Sequence, residues 1–397
     1  MEIRTIEKNA YDIVVVGGGI AGVCAAVCAA RQRKKTLLIE KQINLGGLAT
    51  TGLISWFEPL CNGEGKQLIG GIAEELIRLA VGCGFDNLPQ KWGGENENNA
   101  KGNPKPDRFA SSYSPTFFSL VLDEFVKNSG AEILFDTYAT YPVMDGNVCK
   151  GIITENADGR CFYPAKVVID CTGDATVFHR AGAPTVDVDN YFTYIVHETD
   201  YDKAKQYVET RNLNKLRRWK SSGSDCFGNG HPAGMKPLRG TSAAAINDYV
   251  AVGKKSILEK YKNTDKNARE ILTLPTMPQL RVIRRIVGEY LFTGEENGQT
   301  FEDSIGSAGD FRYRGKQYHV PYRCLYNAGF PNLLTAGRIV SAEGDGMEVL
   351  RVIPCCALTG QAAGTAASLA VERGESVSKI DVAVLQGLLQ SQGVLFE

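Results

Sequence analysis

One stretch, YDIVVVGGGIAGVCAAVCAARQRKKTLLIEK from Tyr11 to Lys41, constrains the whole chain, because it reads as a complete βαβ unit with a phosphate site at its first turn. Ile13 to Val16 is an unbroken β-branched run, suited to a parallel strand buried on both faces, and it stops abruptly at Gly17-Gly18-Gly19. Gly17, Gly19 and Gly22 match G-x-G-x-x-G spacing. The first permits a tight turn, the second lets a pyrophosphate approach the backbone, and the third lets the helix pack on the strand. A helix starting near Ile20 offers its first N–H groups to an anion, and the basic end at Arg31, Arg33, Lys34 and Lys35 complements its dipole. The second strand, Thr36 to Ile39, delivers Glu40 at the spacing of an acid that binds a ribose 2′-OH and repels a 2′-phosphate. With 43 glycines in 397 residues, about half a match to the glycine pattern arises by chance. The flanking strands, helix and acid are what turn the pattern into a dinucleotide site.

Composition matters for what it excludes. A net charge of −1 gives no bulk attraction to nucleic acid. Eleven cysteines without C-x-x-C pairs argue against zinc or iron–sulfur sites of ordinary spacing, so no metal is expected. Their odd number argues against a fully paired disulfide framework and for a reducing compartment. Cys355-Cys356 opens a predicted helix and reads as packing. Ile13 to Ala30 imitates a signal sequence, but its glycine turn makes it core, and no other run approaches the ~18 apolar residues of a membrane span. A soluble cytoplasmic protein without membrane or nucleic-acid partners is the expectation.

After Glu40 comes a second small-residue loop, LGGLATTG (Leu45 to Gly52), where a long cofactor would continue toward its reactive ring. Ile69 to Val81 predicts a helix, with Ile72, Leu76, Leu79 and Ala80 on one face. Asp86 to Ser112 is polar throughout and reads as a lid or a disordered excursion. A helix over Thr116 to Asn128, using Phe117, Leu120, Val121 and Phe125, leads to a strand at Glu132 to Phe135. Strands at Val148 to Thr154 and Cys161 to Tyr163, with Asp-Gly turns, suggest a small inserted meander, before the chain returns with Lys166 to Ile169 and turns at DCTGDA. Asp187 to Arg323 lacks βαβ rhythm. It includes a Gly/Pro-rich loop with His231, the run PQLRVIRRIVGEY (Pro278 to Tyr290) and YHVPYR. NLLTAGR is again strand then turn, Cys355 to Arg373 a small-residue helix with Gly360, Ala363, Gly364 and Ala367 on its approach face, and Asp381 to Gln390 a terminal helix. The expected fold is α/β: a Rossmann-like domain with a central parallel sheet from residues 1–185 and 324–397, an inserted β-meander, and a mixed α+β substrate domain at 186–323.

GGGIAG with Glu40, LGGLATTG, VVIDCTGDA, RVIRRIVGEY, HVPYR, NLLTAGR and VIPCCALTGQAAGTAA together resemble the FAD-dependent oxidoreductase family of glutathione-reductase-like flavoproteins, related to the fumarate reductase flavoprotein type. The resemblance runs from about Tyr11 to Gly393. It implies that Gly17, Gly19, Ile20, Ala21 and Gly22 hold the FAD pyrophosphate, that Glu40, with Lys41 beside it, holds the adenosine ribose, and that Gly47, Ala49 and Thr50 hold the middle of the cofactor. Ala139 would meet the adenine, Thr172, Gly173 and Asp174 form the second FAD-binding turn, and Gly337 and Arg338 form the turn that returns to the flavin. Ile353 to Cys356, at a helix N-terminus, would face the flavin edge that becomes negative on reduction, with Arg351 adding a charge nearby. The second loop contains no histidine of the kind that attaches flavin covalently in relatives, so non-covalent FAD is expected; the lack of a second glycine fingerprint argues against a dedicated NADH domain.

The expected reaction is hydride transfer between flavin N5 and a small organic substrate, with the electron partner unspecified. Arg281, Arg284, Arg285, Arg323 and Arg351 suggest an anionic or carbonyl-bearing substrate, the alternative being structural ion pairs. If Pro278 to Tyr290 is a strand, Arg281 and Arg285 share a face with Ile283 and Arg284 points away. His319 is the candidate proton donor or acceptor, against a structural role, and His231 lies in a loop, either entering on closure or exposed. Glu343 and Glu348 are secondary acid–base candidates. Two other readings stand beside this one: a flavoprotein using FAD as a non-redox scaffold, and a cofactor- or RNA-modifying flavoenzyme.

Overall fold

The computed structural model describes residues 4–84, 88 and 109–396, so the polar stretch from Asp86 lies outside the described residues except at Leu88 and from Phe109 onward. After the short β1 (Ile6–Glu7), β2 (Tyr11–Val16), α1 (Ile20–Arg31) and β3 (Thr36–Ile39) form the expected unit. Every residue of α1 from Ile20 to Ala30 is buried, which its run of Ala, Val and Cys permits. β4 (Trp56–Phe57) precedes α2 (Gly71–Cys83) and pairs antiparallel with β5 (Ser111–Ser112). α3 (Pro115–Asn128) starts with Pro at its first turn and Ser114 as N-cap, accepting from the Phe117 N–H. Its buried stripe is Phe118, Leu122 and Val126, whereas Phe117 and Leu120 are 50% and 61% exposed. The face expected from Phe117 and Leu120 is therefore corrected: residues four apart stack on one side of a helix, and 118/122/126 is the row that faces α1 and α2.

β6 (Glu132–Leu134), β7 (Tyr138–Asp145), β8 (Val148–Asn156) and β9 (Gly159–Asp170) follow, then α4 (Thr176–Arg180). β9 corrects a second expectation, since Cys161 to Tyr163 and Lys166 to Ile169 belong to one twelve-residue strand. Its first half pairs antiparallel with β8 and its second half parallel with β2. Pro164, which has no N–H to give, sits where the partner changes.

β10 (Thr185–Asp187), β11 (Thr193–Asp200), α5 (Tyr201–Thr210), β12 (Arg218–Gly223), α6 (Ala243–Tyr261), β13 (Arg269–Thr273) and β14 (Arg284–Ile286) make up the middle of the chain. The antiparallel sheet β12-β11-β13 carries α6, and a separate core forms from Phe192, Tyr194, Val196, Tyr249, Ile257, Tyr261, Leu280 and Ile283. Of Pro278 to Tyr290, only Arg284–Ile286 is strand, pairing with β10; Arg281 precedes it, so it shares no strand face with Arg285. The hairpin β15 (Ser304–Gly309) and β16 (Gln317–Pro321) instead packs Ile305, Ala308, Tyr318 and Val320 into the first core.

β17 (Leu333–Thr335), α7 (Gly344–Leu350), α8 (Ile353–Arg373) and α9 (Val382–Ser391) return the chain to the sheet. β6, β3, β2, β9 and β17 run parallel in that order, and β8 and β7 extend the sheet as the meander. α8 lies against α1 so closely that a Cβ on Gly360 or Gly364 would fall 2.3 Å from the carbonyl oxygen of Ala21 or Ala25. Among the described residues no single helix is long and apolar enough to cross a membrane. All eleven cysteines are free thiols.

Candidate functional site

The carboxyl ends of β2, β3, β9 and β17 converge on one groove, the place where open parallel sheets bind ligands. Gly17 has φ +100°, and a Cβ there would lie 2.5 Å from the Cys171 carbonyl oxygen; on Gly22 it would lie 1.8 Å from the Gly17 oxygen. At Gly19 it would meet no atom within 4 Å. Two of the fingerprint glycines are thus filled by protein, and the middle one opens outward beside the N–H groups of the first turn of α1, including those of Ile20 and Ala21. That opening fits the pyrophosphate of FAD. Glu40 is buried at the end of β3 and accepts from the N–H of Gly18 at 2.6 Å and of Gln42 at 2.8 Å; burial pushes its carboxyl up. Lys41 is exposed, its ammonium 5.9 Å over the Tyr138 ring, and Ala139 follows, half-buried, on β7.

The second loop runs alongside. The Gly46 N–H donates to the Gly18 carbonyl at 2.8 Å, and Gly47 passes so near Gly19 that an added Cβ would be 3.2 Å from its Cα. Thr50 uses its hydroxyl internally, to the Leu45 carbonyl at 2.5 Å, and the Ala49 carbonyl accepts from Tyr113. Both therefore shape the loop from within.

On the opposite wall Asp170 ends β9 fully buried. One carboxylate oxygen accepts from the N–H groups of Val177 and Phe178, the other from the N–H and hydroxyl of Thr172. Desolvation nonetheless pushes it up to about 6. Asp174 caps the next turn through Thr176, and the Gly173 carbonyl accepts from Arg338 Nε at 2.9 Å. Gly337, φ +82°, donates to the Thr359 hydroxyl at 3.0 Å. Ile353 begins α8, with Val352 as an extended N-cap, so the helix N-terminus opens beside this turn.

The charged candidates divide. Arg281 is half-buried and donates to the carbonyls of Ser224 at 2.9 Å and Tyr191 at 3.4 Å, while Leu280 beside it accepts from Arg338. Burial lowers its pKa, and the nearby Arg351 lowers it further while Glu348 opposes. Arg351 grips Glu348 with Nε and Nη2, and its carbonyl accepts from the Cys356 thiol in the first turn of α8. Arg281, Arg351, Glu348 and Arg338 are therefore brought together at the groove. Arg285 pairs with Glu343 at 2.8 Å and Arg323 with Asp303 at 2.9 Å, each in a separate place, and Arg284 holds Asp187. His319 faces Ser307 across the β15–β16 hairpin, its pKa lowered by burial and by Lys66. His231 accepts from the Phe192 N–H at Nδ1, and its Nε2 lies 3.0 Å from the Met235 carbonyl, which makes it a strut of the middle unit.

Three contributors escaped the sequence. Asp170 carried a signal, an acid between an apolar strand and a glycine turn. His197 and Gln279 carried none. His197 is buried on β11, 3.2 Å from the Leu53 carbonyl and 3.5 Å from Ser55, and burial followed by Arg217 pulls it down to about 4. Gln279 donates to the carbonyls of Gly52 and Ile195 and accepts from the Ile195 N–H. Together they fasten the second cofactor loop to the middle sheet.

The family model for FAD dependent oxidoreductase matches residues 12–191 and 243–389, and the chain belongs to that family. It is an enzyme family whose cofactor is FAD. Among curated proteins the chain is similar to the tRNA uridine 5-carboxymethylaminomethyl modification enzyme MnmG of Lactobacillus gasseri, 29% identical over 173 residues, covering 44% of this chain and 25% of that protein. It is also similar to a digeranylgeranylglycerophospholipid reductase of Methanoculleus marisnigri, 26% identical over 187 residues, covering 45% and 43%. The chain thus spans between a quarter and less than half of these relatives' lengths. Among solved structures, a geranylgeranyl bacteriochlorophyll reductase-like protein of Thermoplasma acidophilum shares the fold, with TM-score 0.50, 14% identity, and coverage of 99% and 93%.

Proposed function

We propose that this protein moves a hydride between N5 of non-covalently held FAD and a small anionic or carbonyl-bearing organic substrate. Bound FAD supplies the redox chemistry. The chain's own residues bind and orient. The first turn of α1 and Gly19 receive the pyrophosphate, Glu40 the ribose, and the Thr172–Asp174 and Gly337–Arg338 turns with Gly47, Ala49 and Thr50 frame the path to the ring. The N-terminal turn of α8 stabilises negative charge at the flavin edge without a titrating side chain. The substrate would lie between this turn and the middle of the chain, a unit within 186–323 whose own core draws on Phe192 to Ile283. A reducing, cytoplasmic setting accords with eleven free thiols.

The observation that carries the proposal is the open face at Gly19 beside Glu40, in a chain of this family. Visible absorbance of the purified protein, mass identification of the released cofactor and anaerobic reduction by hydroxy acids, amino acids, sugars and enoates test it. FAD bleached by one class is the expected result; protein that takes up no flavin on reconstitution overturns it. The likeness to the L. gasseri tRNA-modifying enzyme supports a second reading, RNA as substrate, against which stands the net charge of −1. Retarded migration of tRNA with the protein at low salt would favour that reading.

A further inference from the structure

The net charge of −1 hides an uneven spread. Between Glu198 and Lys220 seven basic residues stand against four acidic ones, and between Lys254 and Glu270 six against three. The fold joins these two segments at one end of the middle sheet. The Tyr201 N–H, at the start of α5, donates to the Ala268 carbonyl at 2.8 Å, and Asp200 lies opposite Arg269 where β11 pairs with β13. Lys260 Nζ reaches the Ser221 carbonyl at 2.5 Å, and the Lys220 and Arg269 side chains both lie over the Tyr261 ring, 5.7 Å and 4.7 Å from its centre. Glu198 and Asp200 are among the acids counted and already pair with Arg218, at 2.5 Å and 2.6 Å. An excess of six positive charges is therefore gathered at this end of the sheet. α5 lies there and buries none of its residues. Asp200 caps it, accepting from the Lys203 N–H at 2.9 Å, and Arg211 ends it at φ +52°. Tyr201, Lys205 and Val208, spaced i, i+4 and i+7, share one face. Tyr201 is 70% and Val208 71% exposed, and the 3₁₀ turn Leu213–Lys215 that follows adds Leu213, 58% exposed. The core formed by Phe192 to Ile283 takes in no residue of this helix, so its apolar stripe is left to solvent.

We propose that α5 and the turn after it dock this protein on an anionic lipid bilayer, with Tyr201, Val208 and Leu213 set among the headgroups and Lys205, Arg211 and Lys215 on the lipid phosphates. Apolar and basic side chains interleaved on one exposed helix face suit a bilayer interface, where the apolar groups leave water and the cations stay at the charged surface. The attachment is peripheral, since ten residues of helix fall far short of a span. Two other occupants match the face less well. A second copy, docked through the same face about a two-fold axis, would press one excess of positive charge against another. A nucleic acid matches the charge but gives the aliphatic Val208 and Leu213 nothing to enter. A bilayer of anionic lipid uses both features.

The test is co-sedimentation of the protein as purified with sucrose-loaded vesicles, of phosphatidylcholine alone or mixed with an equal part of phosphatidylglycerol. The expected result is binding to the mixed vesicles at about 0.1 M salt, release at about 0.5 M, and no binding to the neutral ones. Tyr201→Ser combined with Val208→Ser should weaken binding to the mixed vesicles by about 10-fold or more. Lys205→Gln and Lys215→Gln should each weaken it by about fivefold. All four side chains are exposed, so the melting temperature and the FAD content of these variants should stay those of the wild type. Tyr141, 59% exposed on β7 with Arg180 4.9 Å over its ring, sets an aromatic and a cation together elsewhere, and Tyr141→Ser should leave vesicle binding unchanged. No sedimentation with the mixed vesicles, or an equal loss on Tyr141→Ser, would overturn the inference. So would tRNA that displaces the protein from the vesicles and is itself released by Lys205→Gln, which gives the face to nucleic acid. A dimer in equilibrium centrifugation that Tyr201→Ser with Val208→Ser dissolves would overturn it too, and gives the face to a second copy.

Discussion

The cofactor groove and the middle unit are built from different material. The groove is made of backbone: glycine turns, helix first turns and strand ends, with Glu40 and Asp170 as its main side chains. The unit around β11 and α6 is made of side chains: Tyr194 under Gly253, Gln279 and His197 bridging to the cofactor loop, Arg281 reaching two carbonyls. A backbone site is specified by which positions lack a Cβ. A side-chain site is specified by which distant residues meet. The two should therefore fail in different ways.

The largest expected effect separates two glycines of one motif. Gly22→Ala would press a Cβ to 1.8 Å from the Gly17 oxygen, and backbone cannot step aside, so we expect a loss of about 4 kcal/mol or more, read as a collapsed thermal transition. Gly19→Ala meets no protein atom, and its φ of −66° suits any residue. That variant should melt with the wild-type apoprotein yet bind FAD about 10- to 100-fold more weakly. If both variants kept FAD equally, the open face would not be where the pyrophosphate lies.

In the other region the corresponding change is gentler. On Gly253 a Cβ would fall 2.1 Å from the Tyr194 ring, and a ring can tilt, so Gly253→Ala should cost about 1–3 kcal/mol. Protease cleavage should then rise within β11 to β13, while FAD content holds. Loss of flavin instead would mean that the two regions fold as one.

Acid and base act on them with opposite signs. Asp170, in the groove, has its folded pKa raised to about 6, so its contribution is present below the unfolded value of about 3.9 and is lost as pH rises through 6. His197, in the middle unit, has its folded pKa lowered to about 4, so its contribution is present above the unfolded value of about 6.5 and is lost as pH falls through 4. Each is worth about 3 kcal/mol between its two limits. In the wild type the two slopes oppose each other across pH 4 to 6. His197→Gln removes one, and its urea midpoint should fall as pH rises across that window. An unchanged slope would place His197 in contact with water.

How much could be read in advance follows the same division. β2, α1, β3, the second loop and the small-residue face of α8 were legible because close backbone approach requires Gly or Ala at fixed spacing, and spacing is local. The face of α3 was not, because Phe117 and Phe118 look alike in a row of letters and only the position of α1 and α2 decides between them. The arginines of Pro278 to Tyr290 were legible as a cluster and not as roles: Arg284 and Arg285 found Asp187 and Glu343, from distant parts of the chain, while Arg281 found two backbone carbonyls. His197 was invisible for the opposite reason, since its partner Leu53 offers only a carbonyl that every residue possesses.

The smallest expected effect belongs to the arginine that the sequence set beside Arg281 as an equal. Arg323 pairs two-pronged with Asp303, but its side chain is 42% exposed, so solvent already screens the pair. Arg323→Ala should lower stability by less than about 1 kcal/mol and leave FAD content unchanged. The Asp303 carboxylate keeps the Arg323 backbone N–H, which any residue at that position supplies, so the turn before Cys324 stays in place. A change in substrate affinity from this variant would carry the substrate path out past β16 toward His319, and the region made of side chains would then extend into the hairpin that packs on α8.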